Sequence, residues 1–376
     1  MRLPRLSLAT AGLALALLTP PAAAAGFDCS KASTLIEKTV CDTPTLSAKD
    51  DELNRRYKTL KHLQVIRQLQ AYWLSDVRSS CETSDCLEAT YRAQVKLLGP
   101  VPIPALPNPD QLRPLAPGQH YTVYENDNWP RFTLATFTPA SIPGDQQIVD
   151  AQVIDNVLHV VLFVGRYLAG EPTYVGTLYE YRDDRPGLHP IAKDVAFVGW
   201  SSPGSNDQGI RFSGIVDGVL YYRQHIGGNL QKAMSYRLGS RSPAEESRHV
   251  FQAASNTHRH ALARVREQLN ESSNSLSLQY DAPTQGTYQE TITDQNEPDD
   301  GWSIVNPTWS ATRPVLYFDN SGAKACVWRV DVRLKVLSKI VPEHEAMSAR
   351  PVDIFGREAV VYLQGGQLKF AMQPDD

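Results

Sequence analysis

The chain has 376 residues and a formal net charge of −4, with 42% hydrophobic and 21% charged residues. This mild acidity leaves no basic field for phosphate groups, so a nucleic acid is excluded as the partner. The composition is that of an ordinary globular protein. Its 376 residues are more than one hydrophobic core usually holds, so we expect two domains.

Residues 1–25 have the pattern of a secretory signal peptide. Two early arginines precede an apolar run over residues 6–18, and "TPPAAAA" then supplies the small residues that a signal peptidase requires. The run is shorter than the roughly 20 apolar residues of a membrane span. We expect cleavage near Ala24 or Ala25 and an exported, periplasmic protein with no stable membrane insertion.

A proline-rich segment over residues 99–118, "GPVPIPALPNPDQLRPLAPG", divides the chain. Proline fixes φ and removes a backbone donor, so this segment is typical of a semi-rigid, extended linker. The sequence before it has the periodicity of helices, and the sequence after it has that of strands. We therefore predict a helical domain at residues 26–98 and an all-β domain at residues 119–376.

The helical part carries three helix starts. "TLIE", "SAKD" and "DCLE" each place a capping residue three positions before an acid. Apolar residues recur at steps of three or four from Leu53 to Val77, which predicts one long helix from about Lys49 to Ser79. The fold predicted for this part is a small three-helix domain.

The cysteines concentrate in the same part: Cys29, Cys41, Cys81 and Cys86 precede the linker, and only Cys326 follows it. A small helical domain buries little surface, and an exported chain permits disulfides, so two bridges are expected. Of the three possible pairings we favour Cys29–Cys41 with Cys81–Cys86. Zinc is disfavoured because only the second pair has ligand-like spacing. Cys326 lies in strand-patterned sequence and is predicted to be buried as a small apolar residue.

The second part is rich in β-branched and aromatic runs separated by turn formers. An apolar-apolar-Tyr phrase recurs at Tyr179, Tyr221, Tyr317 and Tyr362, separated by 42, 96 and 45 residues. A period near 45 is typical of a β-propeller blade. Residues 306–332 also resemble one blade of a TolB-type propeller. We predict a propeller-like all-β domain, with a β-sandwich as the alternative.

One stretch of the β domain has a different pattern. Residues 243–270 combine alanine, glutamate, arginine and leucine with few turn formers in their second half. These are residues with high helix propensity. The sequence therefore predicts a helical insertion in the β domain near residues 243–270.

The helical part carries a set of residues that occurs in the same order in one known family. The set comprises Cys29, the pattern ST-x-x-EK-x-x-C over residues 33–41, Leu46, Asp50, Leu53, Asn54, Tyr57, Gln70, Trp73, Val77, Arg78 and the pattern C-x4-CL-x3-Y over residues 81–91. On these residues the chain resembles the LprI-type lysozyme inhibitor family over about residues 27–98, roughly a quarter of its length. The resemblance implies a protein that inhibits lysozyme in the bacterial envelope.

Five residues of this part are candidates for a site: Asp50, Tyr57, Trp73, Arg78 and Tyr91. Asp50 and Tyr57 are seven residues apart and share one helix face with Trp73. We interpret them first as packing with a buried hydrogen bond or an ion pair from Asp50 to Arg78. The alternative is an aromatic and arginine patch of the kind that protein interfaces favour.

No catalytic residue, metal ligand or cofactor is predicted. "GWSSP" at residues 199–203 lacks the second glycine of a nucleophile elbow. The histidines of "HRH" at residues 258–260 are two apart and would point to opposite faces of a helix. "DQNEPDDG" at residues 294–301 concentrates four acids, but its spacing does not fit a calcium loop.

The main hypothesis is an exported periplasmic binding protein that inhibits lysozyme or a related muramidase-type peptidoglycan hydrolase and is not an enzyme. A muramidase cleft works through two carboxylates, which a rigid protein could cover. The negative charge would favour association with a basic lysozyme. The alternatives are an immunity protein against a secreted cell-wall-degrading toxin, and an envelope hydrolase or scaffold that uses the β domain. The oligomeric state is left open.

Overall fold

The structure is a computed structural model. It describes residues 26–99, 115–124, 129–137, 145–167, 174–197, 210–211, 213–228, 230–250, 253–254, 257–258, 261–267, 274–282, 286–293, 302–321 and 326–374. The predicted leader and most of the predicted linker lie outside these residues. None of the helices within these ranges has the length and hydropathy of a membrane span.

Backbone contacts divide the described residues into two compact units. The helical unit holds the residues up to Lys58 together with Trp73–Val95. The β unit holds Thr59–Tyr72 together with the residues from Lys96 onward. This division differs from the predicted boundary at residue 98, because a short segment from the middle of the helical part belongs with the strands.

The part before the linker forms helices throughout. They are a 3-10 turn at Cys29–Lys31, α1 at Leu35–Asp42, α2 at Pro44–Leu60, α3 at Gln64–Tyr72, a π-helix at Trp73–Arg78 and α4 at Ser84–Leu97. The capping box at α1 forms as predicted, since Thr34 accepts from the Glu37 N–H and the Glu37 carboxylate accepts from the Thr34 N–H. The described part of the chain thus has four α-helices where three were predicted.

The prediction of one long helix is wrong, because the chain turns between α2 and α3. The Arg67 guanidinium donates to the carbonyls of Lys61 and His62 at 2.8 and 3.1 Å, which satisfies backbone acceptors at this turn. Leu63 in the turn is buried. The apolar periodicity therefore continues through the turn, and the sequence pattern gave no sign of the break.

The predicted disulfides are confirmed. Cys29 joins Cys41 with a Cα–Cα distance of 5.8 Å, and Cys81 joins Cys86 with a distance of 5.5 Å. Both distances are normal for a disulfide. Cys326 is buried, as predicted, and takes part in neither disulfide. The helical unit is thus closed at α1 and at the corner that leads into α4.

The β unit has 23 strands within the described residues. They are β1 Thr122–Tyr124, β2 Arg131–Thr136, β3 Asp145–Ile154, β4 Val157–Tyr167, β5 Tyr174–Arg182, β6 Arg185–Phe197, β7 Ile210–Arg211, β8 Gly214–Val216, β9 Val219–Gly227, β10 Leu230–Arg237, β11 Glu245–Glu246, β12 Ala253–Ala254, β13 Thr257–His258, β14 Ala261–Glu267, β15 Asn274–Ala282, β16 Gly286–Thr291, β17 Ile304–Trp309, β18 Val315–Asn320, β19 Cys326–Asp331, β20 Val336–Val341, β21 Met347–Ile354, β22 Arg357–Gln364 and β23 Gln367–Met372.

Consecutive strands pair antiparallel in five groups: β3–β6, β8–β11, β13–β16, β17–β20 and β21–β23. The first two groups share one eight-stranded sheet through a single pairing of β6 with β9. β2 adds to β23 antiparallel, and β1 adds to β20 parallel. The strands that open the groups contact one another, β3 with β8 and β21, and β17 with β13 and β21. The large β domain is therefore confirmed.

Apolar clusters fill the space between successive groups. One joins Ala263 and Leu276 to Phe318 and Trp328, and two of its tryptophan rings, Trp302 and Trp328, lie 5.0 Å apart. The other two clusters join β17–β20 to β21–β23 and β3–β6 to β8–β11. Three of the four junctions between successive groups thus bury apolar side chains.

The recurring tyrosines have two different environments. Tyr317 and Tyr362 are fully buried in the core, as a repeat would require. Tyr179 and Tyr221 are only half-buried, and the fully or nearly buried phenols near them are Tyr181 and Tyr222. The sequence repeat therefore does not mark equivalent positions throughout.

The predicted helical insertion at residues 243–270 is wrong, because its described residues form strands β11 to β14. β14 pairs with β15 over seven residues, from Ala261 opposite Tyr280 to Glu267 opposite Asn274. Ala263 is buried in the apolar cluster between the sheets. Tertiary pairing thus overrides the high helix propensity of this segment.

α3 begins at a carboxylate of the β unit. Asp183, in the turn between β5 and β6, accepts the N–H of Val65 on its Oδ1 at 3.0 Å and that of Gln64 on its carbonyl at 3.2 Å. The Tyr181 hydroxyl also donates to Oδ1 at 3.2 Å. The first N–H groups of a helix have no partner within the helix, so Asp183 acts as its cap.

The other end of α3 lies on β2. Gln68 Nε2 donates to the carbonyl of Thr133, and the Tyr72 ring meets the Phe132 ring edge-on at 5.7 Å between centroids. Side-chain and backbone groups at both ends therefore fix this helix to the strands. This explains why α3 groups with the β unit.

Asp183 makes the stability of the chain depend on pH. Burial raises the pKa of its carboxyl to about 6, against about 3.9 for an exposed Asp. The folded chain thus holds this proton more tightly than the unfolded chain, so the contribution of Asp183 to the free energy of unfolding falls as the pH rises from about 4 to about 6. We expect Asp183→Asn to abolish this pH-dependent loss of stability. The melting temperature of the wild type minus that of the variant should therefore decrease as the pH rises from about 4 to about 6.

Asp184→Asn is the matched control, since Asp184 lies in the same turn and pairs with Arg182 at 2.7 Å. This variant should keep the wild-type trend between pH 4 and 6. A constant difference between the wild type and Asp183→Asn would contradict the role given to Asp183.

Candidate functional site

Four of the five predicted site residues come together in the helical unit. Asp50 Oδ1 accepts the Tyr91 hydroxyl at 2.8 Å, and the Trp73 ring meets the Tyr91 ring edge-on at 4.9 Å. Arg78 donates to the Tyr91 hydroxyl at 3.4 Å and lies over the Trp73 ring at 5.7 Å. The Tyr91 phenol on α4 therefore connects α2 to the π-helix.

The predicted ion pair between Asp50 and Arg78 does not form, since both groups bond to the Tyr91 hydroxyl instead. Burial raises the pKa of the Asp50 carboxyl, and burial next to Asp50 raises the pKa of the Tyr91 phenol. Tyr57 is half-buried on α2, and no hydrogen bond or ring contact within the described residues joins it to the other four. Asp50, Trp73, Arg78 and Tyr91 thus pack against one another within the helical unit.

A second group of polar residues, which the sequence analysis did not predict, lies on and next to the strands that open the groups. Three of these strands carry a bulge, between Ile148 and Asp150 in β3, between Val305 and Thr308 in β17, and between Met347 and Arg350 in β21. We call Asp150, Asn306, Asp319, Ser348 and Arg350 the first-strand cluster. Bulges re-aim side chains and are common next to functional sites.

Asp319, at the end of β18, holds two of these bulges. Its Oδ2 accepts the Ser348 N–H at 2.7 Å and the Asn306 amide at 2.9 Å, and its Oδ1 accepts the Ala349 N–H at 3.0 Å. Ser348 and Asn306 have φ values of 63° and 56°, a conformation that costs energy outside glycine. Burial raises the pKa of Asp319, while these three donors and Arg350 lower it. Three donors fit the ionised form, which makes Asp319 a positioning residue.

Ser348 and Arg350 extend the cluster from β21 to β3. Ser348 Oγ accepts the Ile148 N–H at 2.7 Å, and Arg350 donates to the carbonyls of Ala349 at 2.8 Å and Val149 at 3.4 Å. The guanidinium is thereby held beside the residue that precedes Asp150. Two bulges, from separate groups of strands, are linked in this way.

Asp150 is the solvent-accessible carboxylate of the cluster. It is half-buried, and its two oxygens accept the N–H groups of Ala151 at 2.9 Å and Ile215 at 2.8 Å. Each oxygen keeps one lone pair with which it can accept a further proton donor. Asp150 can therefore bind a water molecule or a hydroxyl group.

Two further charged networks are buried deeper between the sheets. Arg329 forms a bidentate pair with Glu358 at 2.6 and 2.9 Å, and the Tyr317 hydroxyl donates to the same carboxylate. Elsewhere, Glu180 bonds to His159 at 2.8 Å and accepts the Tyr236 hydroxyl at 3.3 Å. All of these charged groups are less than 10% exposed, so both networks join strands and cannot reach a substrate.

Several patterns that the sequence analysis weighed lie outside the described residues. These are "GWSSP", "DQNEPDDG" and the second histidine of "HRH", whose first histidine ends β13. Within the described ranges, no group of three or more histidine, cysteine, aspartate or glutamate residues is placed to hold a metal ion.

No protein-family model matches the chain, and no curated protein matches it either. Among solved structures, the GH43_1 enzyme of Xanthomonas citri is 12% identical, with a TM-score of 0.28 over 65% of this chain and 90% of its own. A family 117 glycoside hydrolase of Zobellia galactanivorans is 7% identical, with a TM-score of 0.34 over 66% and 92%. An α-L-arabinofuranosidase of Clostridium thermocellum is 11% identical, with a TM-score of 0.27 over 60% and 85%.

All three solved structures are glycoside hydrolases. On this finding the predictions of a lysozyme inhibitor without catalytic activity and of an immunity protein are corrected. Because the TM-scores lie below 0.5, no substrate and no catalytic residue is transferred from these enzymes. The resemblance of the helical part to the LprI-type family stays a prediction.

The first-strand cluster can be tested by removing its buried acceptor. Asp319→Ala leaves three buried donors without a partner, so the free energy of unfolding should fall by about 2–5 kcal/mol. Urea unfolding measures this loss. Asp42→Ala, at an exposed position at the end of α1, should change the same quantity by less than about 0.5 kcal/mol. Equal effects of the two substitutions would contradict the role given to Asp319.

Proposed function

We propose that the chain is an exported hydrolase of the bacterial envelope whose β unit cleaves glycosidic bonds. The observation that carries the proposal is the first-strand cluster. In it, the solvent-accessible Asp150 lies at the bulge of β3, and the buried Asp319 is linked to this bulge through Ser348. Asp150 is a half-buried carboxylate of the kind through which glycosidases act, and the buried Asp319 fixes strands beside it. The bulges that aim these residues occupy neighbouring strands rather than one loop.

In this proposal Asp150 acts directly on the substrate. Its ionised carboxylate takes a proton from the attacking water or stabilises the positive charge that develops on the sugar ring. Asp319 lies only 1% exposed, so it cannot touch a sugar and acts by fixing the bulge of β21. Arg350 gives the cluster a positive charge, which lowers the pKa of Asp319 against the effect of burial.

We also propose that the β unit is a five-bladed propeller. Five successive groups of antiparallel strands, contacts between their opening strands, and apolar clusters between neighbouring groups support this arrangement. The addition of β2 to β23 is the kind of closure that joins the first and last parts of such a ring. In a propeller the opening strands line the central channel, which is where the first-strand cluster would lie.

The proposed location is the bacterial periplasm. The leader pattern and the two disulfides support export, since disulfides form and persist in oxidising compartments. An envelope glycan would then be within reach of the enzyme. In this arrangement the LprI-like part is an accessory that positions the enzyme in the envelope.

The test is turnover of dinitrophenyl glycosides by the full processed chain. Their leaving group has a low pKa and departs without a general acid, so the assay depends on the carboxylate that attacks or activates water. The panel comprises β-xylosides, α-L-arabinofuranosides, and N-acetylhexosaminides for peptidoglycan. We expect turnover on at least one of them, and Asp150→Asn should lower kcat about 100-fold or more.

Asp155→Asn is the matched control. Asp155 is exposed in the turn between β3 and β4, and its φ of 50° is one that asparagine also adopts. This variant should keep the wild-type kcat. Melting temperatures of both variants separate a loss of catalysis from a loss of folding. The absence of turnover on every glycoside of the panel would overturn the proposed function.

A further inference from the structure

The backbone N–H of Gly26 donates a hydrogen bond to a buried carboxylate. Its N–H lies 2.8 Å from Oδ2 of Asp50, and the Tyr91 hydroxyl occupies the other oxygen. Asp50 is 6% exposed. A residue next to the predicted processing point is therefore bound by a side chain 24 positions further along the chain.

Asp50 has no ion pair with a cationic side chain within the described residues. Arg78, whose positive charge acts on Asp50, donates to the Tyr91 hydroxyl instead. A buried carboxylate without a counter-charge is costly, and burial raises the pKa of Asp50 accordingly. A positive charge on the Gly26 nitrogen, which already contacts Asp50, would therefore neutralise this carboxylate.

The sequence offers a source for that charge. Small residues stand at the positions that a signal peptidase reads for cleavage after either Ala24 or Ala25. We propose that cleavage follows Ala25, and that the new ammonium group of Gly26 is the counter-ion of Asp50. Hydrolysis breaks the bond between the Ala25 carbonyl carbon and the Gly26 nitrogen, and water supplies a hydroxyl to the carbon and a proton to the nitrogen. The amine takes a second proton from solvent.

The site fits an unsubstituted glycine terminus. A Cβ on Gly26 would lie 1.6 Å from Asn54 Nδ2 and 2.8 Å from Asn54 Cβ, so any side chain would require α2 to give way. The segment that follows is held by the disulfide between Cys29 and Cys41 and by the bonds from Ser30 to Asp28. The terminus is therefore already positioned before it gains its charge, which lowers the cost of binding.

Processing would change the strength of this contact. A positively charged donor adds Coulomb attraction to its hydrogen bond with a carboxylate, and this attraction is stronger where water is excluded. The pair would raise the pKa of the Gly26 ammonium above the usual value of about 7.7–8.0. Its contribution to stability is then complete below about pH 8 and disappears as the pH rises through the raised pKa. The other charged or titratable groups that act on Asp50 are Arg78, Tyr91 and Asp51.

The decisive experiment compares three forms of the full mature chain, with Gly26 first, with Ala25 first, and with an acetylated Gly26. At pH 7 the free Gly26 form should melt about 2–8 °C above the other two. This difference should shrink above about pH 8, since only the free Gly26 amine is held at Asp50. In the Asp50→Asn background the three forms should melt together. Equal melting temperatures in the wild-type background would overturn the proposal, whether or not Asp50→Asn folds.

The processing step has a separate readout in the intact mass of the exported protein. A mature chain that begins at Gly26 is expected, and one that begins at Ala25 or elsewhere would overturn the assigned cleavage position. The inference rests on the export in the proposed function but not on catalysis. Chains prepared with Gly26 first therefore test the contact even when no glycoside is turned over.

Discussion

The hydrogen bonds that the buried carboxylate of Asp319 accepts hold together the strands on which the β unit is organised. They satisfy the N–H groups of Ser348 and Ala349 in β21 and the amide of Asn306 in β17. Ser348 then accepts the Ile148 N–H from β3. One charge thus sets two bulges and, through a serine, the start of a third strand, so the geometry of the proposed site follows from a group that never meets the substrate.

The same device recurs in other parts of the chain. Asp183 accepts the N–H of Val65 at the start of α3, and Asp50 accepts that of Gly26. In each case a backbone donor at the end of a segment, which no helix or sheet partner satisfies, is met by a carboxylate distant in sequence. Burial raises the pKa of Asp50, Asp183 and Asp319 alike, and the donors act against that rise. These acids therefore fix segments of the chain in place, and the stability of the fold depends on pH as a result.

What the sequence predicts depends on how local the cause is. The capping box of Thr34 and Glu37 and the pairing of the cysteines come from short-range geometry, and both are confirmed. The break at Leu63 and the strand β14 follow from tertiary contacts, and there the local periodicity and propensity mislead. The first-strand cluster stayed hidden because bulges and left-handed residues such as Asn306 and Ser348 leave no consistent mark on a single sequence.

The grouping of α3 with the strands has a consequence for the history of the chain. The polypeptide leaves the helical unit at Lys58, returns at Trp73 and leaves again at Val95. A segment that recombination can move between genes needs one boundary with the rest of its protein, and this one has three. α3 carries buried Val65, Ile66 and Leu69, together with a cap supplied by a residue more than 100 positions away. A chain cut after residue 98 would therefore lose the group that caps α3.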